Sequence, residues 1–176
     1  MARSDFCTGL RCRPVLPGAT TLSLVAAGGW RKRGDFVQAI GRSRGGRTTK
    51  IHALTDENGR PRVLLLTPGN VNDVTMAPAL LATAGPIRRL IADKAYVSNL
   101  LRQRLDQQGA EAVIPSTASR KAPIPYDKAA YRTRNLIERM WSRIKDFRRV
   151  ATRYDKLARN YAAAVHIAAI VAYWLN

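Results

Sequence analysis

The sequence predicts an α/β domain, and three observations carry that prediction. Asn58-Gly59 lies between two runs of apolar and β-branched residues, 48–54 and 62–67, which is the signature of a β-hairpin. Two further short apolar runs, 87–92 and 112–114, are separated by a helix-patterned stretch, so strands and helices alternate. Finally, residues 131–145 carry their apolar side chains at helical spacing.

Taken in order, residues 20–27 (TTLSLVAA) have the composition of a strand. Residues 30–47 are basic and glycine-rich, too polar for a core element. Two readings stay open for them, a flexible linker and a strap whose glycines let the backbone approach phosphates. His52, on the first hairpin strand, is expected to be hydrogen-bonded within the fold. Pro68-Gly69 ends the second strand, and Asp73 is placed to cap a helix over 74–84. The run 87–92 ends in Asp93, at the C-terminal end of a strand, where open α/β sheets hold their ligands. Ser98 fits the cap of the following helix, 99–108, which leaves Asp93 free; Gly109 closes that helix, and Leu100, Leu101 and Leu105 are assigned to one side. Residues 116–128 form a Ser/Pro/Lys loop, either a mobile surface segment or a flap over nucleic acid.

Thirty Lys and Arg against twelve Asp and Glu give a net charge of +18. Charge of that size implies a polyanionic partner, nucleic acid before others. It excludes no basic binding protein, so composition alone names a partner class and no reaction. Cys7 and Cys12 are the only cysteines and are expected as reduced thiols, consistent with a cytoplasmic protein. An apolar run at 15–27 behind Arg11 and Arg13 superficially resembles a signal segment, but Pro17, Gly18 and a Thr/Ser group interrupt it. At the other end, 161–175 is apolar apart from His166, yet its 15 residues fall short of the roughly 20 that a spanning helix needs. A buried terminal helix and no membrane partner are expected.

The stretch 131–145, YRTRNLIERMWSRIK, concentrates the chemistry. At about 100° per residue from Tyr131, Arg134 falls near 300°, Glu138 near 340° and Lys145 near 320°. One acid therefore shares a narrow strip with a phenol and two cations. Leu136, Ile137, Met140, Trp141, Ile144 and Phe147 form the adjoining apolar stripe. Glu138 can simply pair with Arg134 at i,i+4, a contact of about 0.3–0.5 kcal/mol on a surface. Alternatively it holds a divalent metal, with Tyr131, Arg134 and Lys145 on phosphates.

The pattern Tyr131-x2-Arg134-x3-Glu138-x6-Lys145 resembles the signature of the bacterial insertion-sequence transposases of the DDE class. GRSRGGRTTKIHALTDENG (41–59), LTPGNVND (66–73), IADKAY (91–96), AVIPS (112–116) and FRRVATRYDKLARNY (147–161) resemble blocks of that family, in its order. The resemblance implies an RNase H-like mixed sheet flanked by helices over residues 41–176, incomplete at its first strand. It implies Asp93 and Glu138 as catalytic and metal-holding acids, with Mg²⁺ or Mn²⁺. It further implies DNA contacts from Tyr131, Arg134, Lys145, Arg42, Arg44 and Lys50, and transposon-end and target DNA as substrates, bound by a homodimer.

Residues 1–40 depart from the family and are expected as an atypical, partly disordered segment. The first catalytic aspartate of the family belongs on a strand ahead of the 41–59 block, and no acid occurs between Phe6 and Gly34. Asn72 stands where the family often has histidine. The chain resembles the back half of a transposase split over two reading frames, which adds the upstream-frame half as a partner. The alternatives are a catalytically dead DNA-binding remnant and a non-catalytic basic RNA-binding protein.

Overall fold

The computed structural model describes residues 19–27, 37–43, 46–117 and 120–175. Arg44, Asp5, Asp35 and both cysteines lie outside the described residues. Six strands form one sheet: β1 (Ala19–Ala27), β2 (Gly41–Ser43), β3 (Gly46–Thr55), β4 (Pro61–Pro68), β5 (Arg89–Ala92) and β6 (Glu111–Val113). β3 runs antiparallel to β1 on one side and to β4 on the other, while β1, β5 and β6 are parallel neighbours. This mixed sheet with helices on both faces is the RNase H-like arrangement that the family resemblance implies.

The expected hairpin forms around Asp56–Gly59. Asp56 Oδ1 accepts from the Asn58 and Arg60 amides at 3.0 and 2.9 Å, and Gly59 adopts φ 75°, a left-handed conformation that glycine takes without steric cost. The described part of the glycine-rich stretch, residues 37–43 and 46–47, is more ordered than its composition suggests. Gly41–Ser43 pairs with Gly46–Thr48 as an edge hairpin, and Gly41 sits against Pro68, Gly69 and Asn70, where a Cβ would have no room. Absent side chains thus let two backbones meet.

Alternation along β3 builds two cores. Leu54 joins Val63, Leu90, Ala92 and Tyr96 under α1 (Ala77–Ala84) and α2 (Asn99–Gln107). Ile51 and Ala53 meet Ile137, Met140, Trp141 and Ile144 of α4 (Asn135–Lys145) and Tyr161, Val165, Ala168 and Ala169 of α6 (Ala158–Trp174). Strands covered on both faces read as nearly continuous buried runs, which is why even His52, Thr49 and Thr55 of β3 are enclosed. His52 has the structural role expected of it: Nε2 lies 2.7 Å from Thr67 Oγ1.

Several elements differ from the sequence-based expectation. The segment 74–84 divides into a 3₁₀ turn, Asp73–Met76, followed by α1. Its cap is Asn72, whose Oδ1 faces Val74 N at 3.4 Å, because Lys50 Nζ draws the Asp73 carboxylate across to β3 at 2.9 Å. Leu100 is exposed while Leu101 and Leu105 are buried, since one residue earlier is about 100° round the helix. Phe147 falls past the end of α4 and lies on the rim of the core instead of within it. The terminal helix α6 buries one face only; Ile167, Ile170 and Trp174 are exposed, as is His166, whose Nδ1 donates to the Ala162 carbonyl. Among the described residues no helix is long and apolar enough to cross a membrane.

Candidate nucleic-acid processing site

Asp93 follows β5 directly, at the C-terminal end of a parallel strand. It is not free of capping duty. Its Oδ1 accepts the Ala95 amide at 2.9 Å and starts the 3₁₀ turn Lys94–Tyr96, in addition to Ser98, which caps α2 by accepting from Leu101 N at 3.3 Å. The short turn needs its own acceptor, and a carboxylate can serve one amide while keeping acceptor capacity. The turn packs against the 3₁₀ turn that carries Asp73.

The second acid arrives from 45 positions later in the chain. The helical stretch around it is compound: α3 (Lys128–Tyr131), a 3₁₀ turn Arg132–Arg134, then α4. In a 3₁₀ turn, residues i and i+3 eclipse. Arg134 is therefore brought above Tyr131, its guanidinium carbon 5.7 Å from the ring centroid, closer in rotation than a uniform α-helix would set them. From Arg134 onward α-helical spacing takes over, and its Nη2 meets Glu138 Oε1 at 2.5 Å. The i,i+4 pair that the sequence allows is thus formed, at a position where Glu138 is about half exposed. Two α-helical turns further on, Lys145 is exposed on the same strip.

The Tyr131 phenol feels the charge of both acids. Burial raises the pKa of its phenol, Arg134 lowers it, and Asp93, Tyr126 and Glu138 each raise it again. Charges from β5 and from α4 thus converge on one ring, which stays a neutral phenol. Asp127, which accepts the Ala129 and Ala130 amides at 2.8 and 3.0 Å, anchors the start of α3, and the Ala130 amide holds its own carboxyl below the usual range.

Of the residues expected at the site, Tyr131, Arg134 and Glu138 meet in contact, while Asp93 is linked to them through its charge on the Tyr131 phenol. Arg42 is exposed on the edge strand β2. Lys50, also expected on DNA, has its ammonium bonded to the Val71 carbonyl at 2.8 Å and to Asp73 at 2.9 Å, so a phosphate would have to compete with an internal carboxylate. Tyr126 and Asp127 were passed over in the sequence as loop residues. Asp127 had a readable signal, an acid just ahead of a helix start; Tyr126 had none, since only the turn of the chain brings its ring to Tyr131.

Across the sheet, β1 is parallel to β5, with Thr21 level with Ala92, so Leu22 is the β1 position level with Asp93. No acid occurs anywhere in β1. Among the described residues no three His, Cys, Asp or Glu side chains gather.

The sequence matches the family described as Transposase DDE domain over residues 19–175. The chain belongs to that family. The match spans β1 to α6, so it covers both acids and the whole sheet. Relatives agree: a protein of Brucella ovis named as a transposase for insertion sequence element IS6501 is 33% identical over 130 residues, covering 73% of this chain and 99% of that protein. Another, of Burkholderia cepacia and named for insertion sequence element IS402, is 32% identical over 137 residues, 72% of this chain and 63% of that protein. DDE transposases depend in general on divalent metal, and two carboxylates are a donor set that fits such an ion in part. Hard oxygen ligands suit Mg²⁺, which binds through one or two carboxylates and takes its remaining ligands from phosphate and water.

Proposed function

We propose that this transposase domain cuts transposon-end DNA and joins it to target DNA by metal-dependent phosphoryl transfer, with Asp93 and Glu138 as its working acids. The reading is carried by one observation: Arg134 lies over Tyr131 and holds Glu138 of α4, and the phenol feels the charge of both Glu138 and Asp93, the acid at the end of β5. Asp93 and Glu138 would hold Mg²⁺ or Mn²⁺ between them. A cation held there would supply Lewis-acid chemistry, lowering the pKa of a water or 3′-hydroxyl and offsetting charge on the leaving oxygen of an in-line displacement. Arg134 and Lys145 bind the phosphate backbone along the α4 strip, and Arg134 must exchange part of its bond to Glu138 for that contact. Tyr131 stays protonated, as a positioning group and not a nucleophile. Arg42 adds a phosphate contact from the edge strand β2, and Arg44, outside the described residues, is assigned a further one. The site of action is the cytoplasm, on DNA, as a homodimer.

A second reading is favoured by a specific observation, the lack of any acid in β1 beside Asp93. On that reading the isolated chain binds DNA without cutting it, and the third acid comes from the half encoded in the upstream frame or is lost. The deciding experiment is Mg²⁺-dependent cleavage of a transposon-end duplex by this chain and by the chain joined to its upstream frame, each with a Glu138→Gln control. Cleavage by the isolated chain that disappears in the control supports the first reading, and cleavage by the joined protein alone supports a third acid supplied by the upstream half. Salt-dependent binding without cleavage in either form leaves the remnant.

A further inference from the structure

Two arginines converge on the start of α2. Arg102, one turn into the helix, donates from Nη2 to the Ile114 carbonyl just past β6, at 2.5 Å. Arg120, from the loop after β6, donates from Nη1 to the side-chain oxygen of Asn99 at 3.1 Å. Asn99 and Arg102 are three positions apart and so share one face of α2. Both acceptors are neutral, the first turn of α2 carries no acid, and no carboxylate among the described residues contacts either guanidinium. Arg102 Nε is buried without an acceptor. Burial, and then the charge of Arg120, pulls the pKa of Arg102 below its usual value. Fastening a loop needs one donor, whereas two neighbouring cations without a counter-charge repel until an anion joins them.

The place of the pair says which anion. β1, β5 and β6 are parallel, Asp93 follows β5 and Ile114 follows β6. Open α/β sheets hold their ligands outside the carboxyl ends of such strands. The arginines and Asp93 share that end, and the chain passes from Asp93 through one 3₁₀ turn to Ser98, the cap of α2. Arg120 belongs to the loop for which the sequence leaves a flap over nucleic acid open, and the loop is folded on itself: Arg120 N donates to the Thr117 carbonyl at 3.1 Å and Ile124 N to Ser116 Oγ at 2.9 Å. A guanidinium presents a planar fork of donors that matches phosphate oxygens, and each arginine here keeps N–H groups beyond the one it has used. We infer that Arg102 and Arg120 clamp a phosphodiester of the DNA strand bound at Asp93. The assignment rests on the DNA-processing reading of that site.

The test measures binding of the full chain to a fluorescein-labelled duplex of arbitrary sequence, in EDTA, over a series of salt concentrations. Arg102→Gln combined with Arg120→Gln should weaken binding by roughly 10- to 150-fold, the loss that goes with charge-assisted hydrogen bonds. The log-log salt slope should become shallower by about 0.9, the share of one duplex phosphate. Arg104→Gln removes the same charge from an exposed position about 200° round α2 from Arg102 and should leave the slope unchanged. Arg120→Gln alone, whose amide can still reach Asn99, should weaken binding at the parent's melting temperature. An unchanged slope in the double variant, an equal effect of Arg104→Gln, or a loss of binding seen only with a fall in melting temperature overturns the clamp. Stabilisation by inorganic phosphate that the double variant loses while keeping the parent's slope also overturns it, as a site for a free anion. Because no metal is present, a chain that binds in the expected pattern and does not cut sinks the proposed activity alone. Cutting by a double variant with the parent's slope sinks only the clamp.

Discussion

Arg153 is buried, no carboxylate among the described residues contacts its guanidinium, and its replacement by methionine should destabilise the domain by about 3 kcal/mol. The figure follows from counting donors. Arginine has five N–H groups, and five acceptors surround this one. Nε donates to the Asp155 carbonyl at 2.9 Å; Nη1 donates to the Ala39 carbonyl at 3.3 Å and to Thr49 Oγ1; Nη2 donates to the carbonyls of Gln38 at 2.8 Å and Lys156 at 3.2 Å. The guanidinium also lies 5.1 Å over the Tyr161 ring. Only the bonds to Ala39 and Thr49 are fully buried; Thr49 Oγ1 goes on donating to the Ala39 carbonyl, so each of these acceptors loses one partner, at about 1–1.5 kcal/mol, and the contact over the buried Tyr161 ring adds about 2 kcal/mol. The three half-buried carbonyls can rehydrate, and relief of the buried charge offsets part of the loss. A net of about 3 kcal/mol corresponds to a fall in melting temperature of about 6–12 °C for a chain of this size. Arg153→Lys, with three donors on one point charge, should fall between the two. Thermal unfolding followed by circular dichroism decides it: a methionine variant melting within a degree of the parent would refute the claim that this guanidinium ties residues 38–39 to the C-terminal elements.

Burial pulls the pKa of His52 from 6.5 to about 4, with Asp73 opposing and Lys50 reinforcing the shift. A depressed folded pKa means stability that is full above about pH 6.5 and is lost as pH falls toward 4, by at most about 3 kcal/mol; denaturant titrations at pH 7 and pH 4.5 should lose that slope in His52→Gln. Lys50→Met should lower stability by about 1 kcal/mol, because it strands the half-buried Asp73 carboxylate, while leaving the salt dependence of DNA binding unchanged; a shallower log-log salt slope would instead make Lys50 a phosphate contact. Gly69→Ala would drive a Cβ into Thr48, whose backbone oxygen is 2.9 Å away, and should cost about 1–3 kcal/mol in urea unfolding. A variant as stable as the parent would show that β3 and the 68–70 turn are not in close contact.

Much of the fold was legible locally. Asn58-Gly59 announced the hairpin, Ser98 and Gly109 bounded α2, and the apolar stripe Ile137, Met140, Trp141 and Ile144 marked the buried face of α4. Errors arose where a side chain had two partners to choose from. Asp73 had the spacing of a cap and went to Lys50; Asp93 had the look of an uncommitted acid and took the Ala95 amide. Wheel arithmetic at a uniform 100° misjudged Tyr131, because the 3₁₀ turn between it and Glu138 winds faster.

By itself the sequence determined the alternation of strands and helices and the cationic surplus, since these depend on residue types and on spacings of a few positions. Its family membership is also a property of residue order. The tertiary structure alone decided that Asp93 and Glu138 bear on one phenol, that Tyr126 reaches Tyr131, and that Arg153 is satisfied by chain more than 100 residues away. Those are long-range contacts. They form when the sheet aligns β1 with β5 and the two cores close over it, and no local spacing encodes which distant partner a side chain will meet.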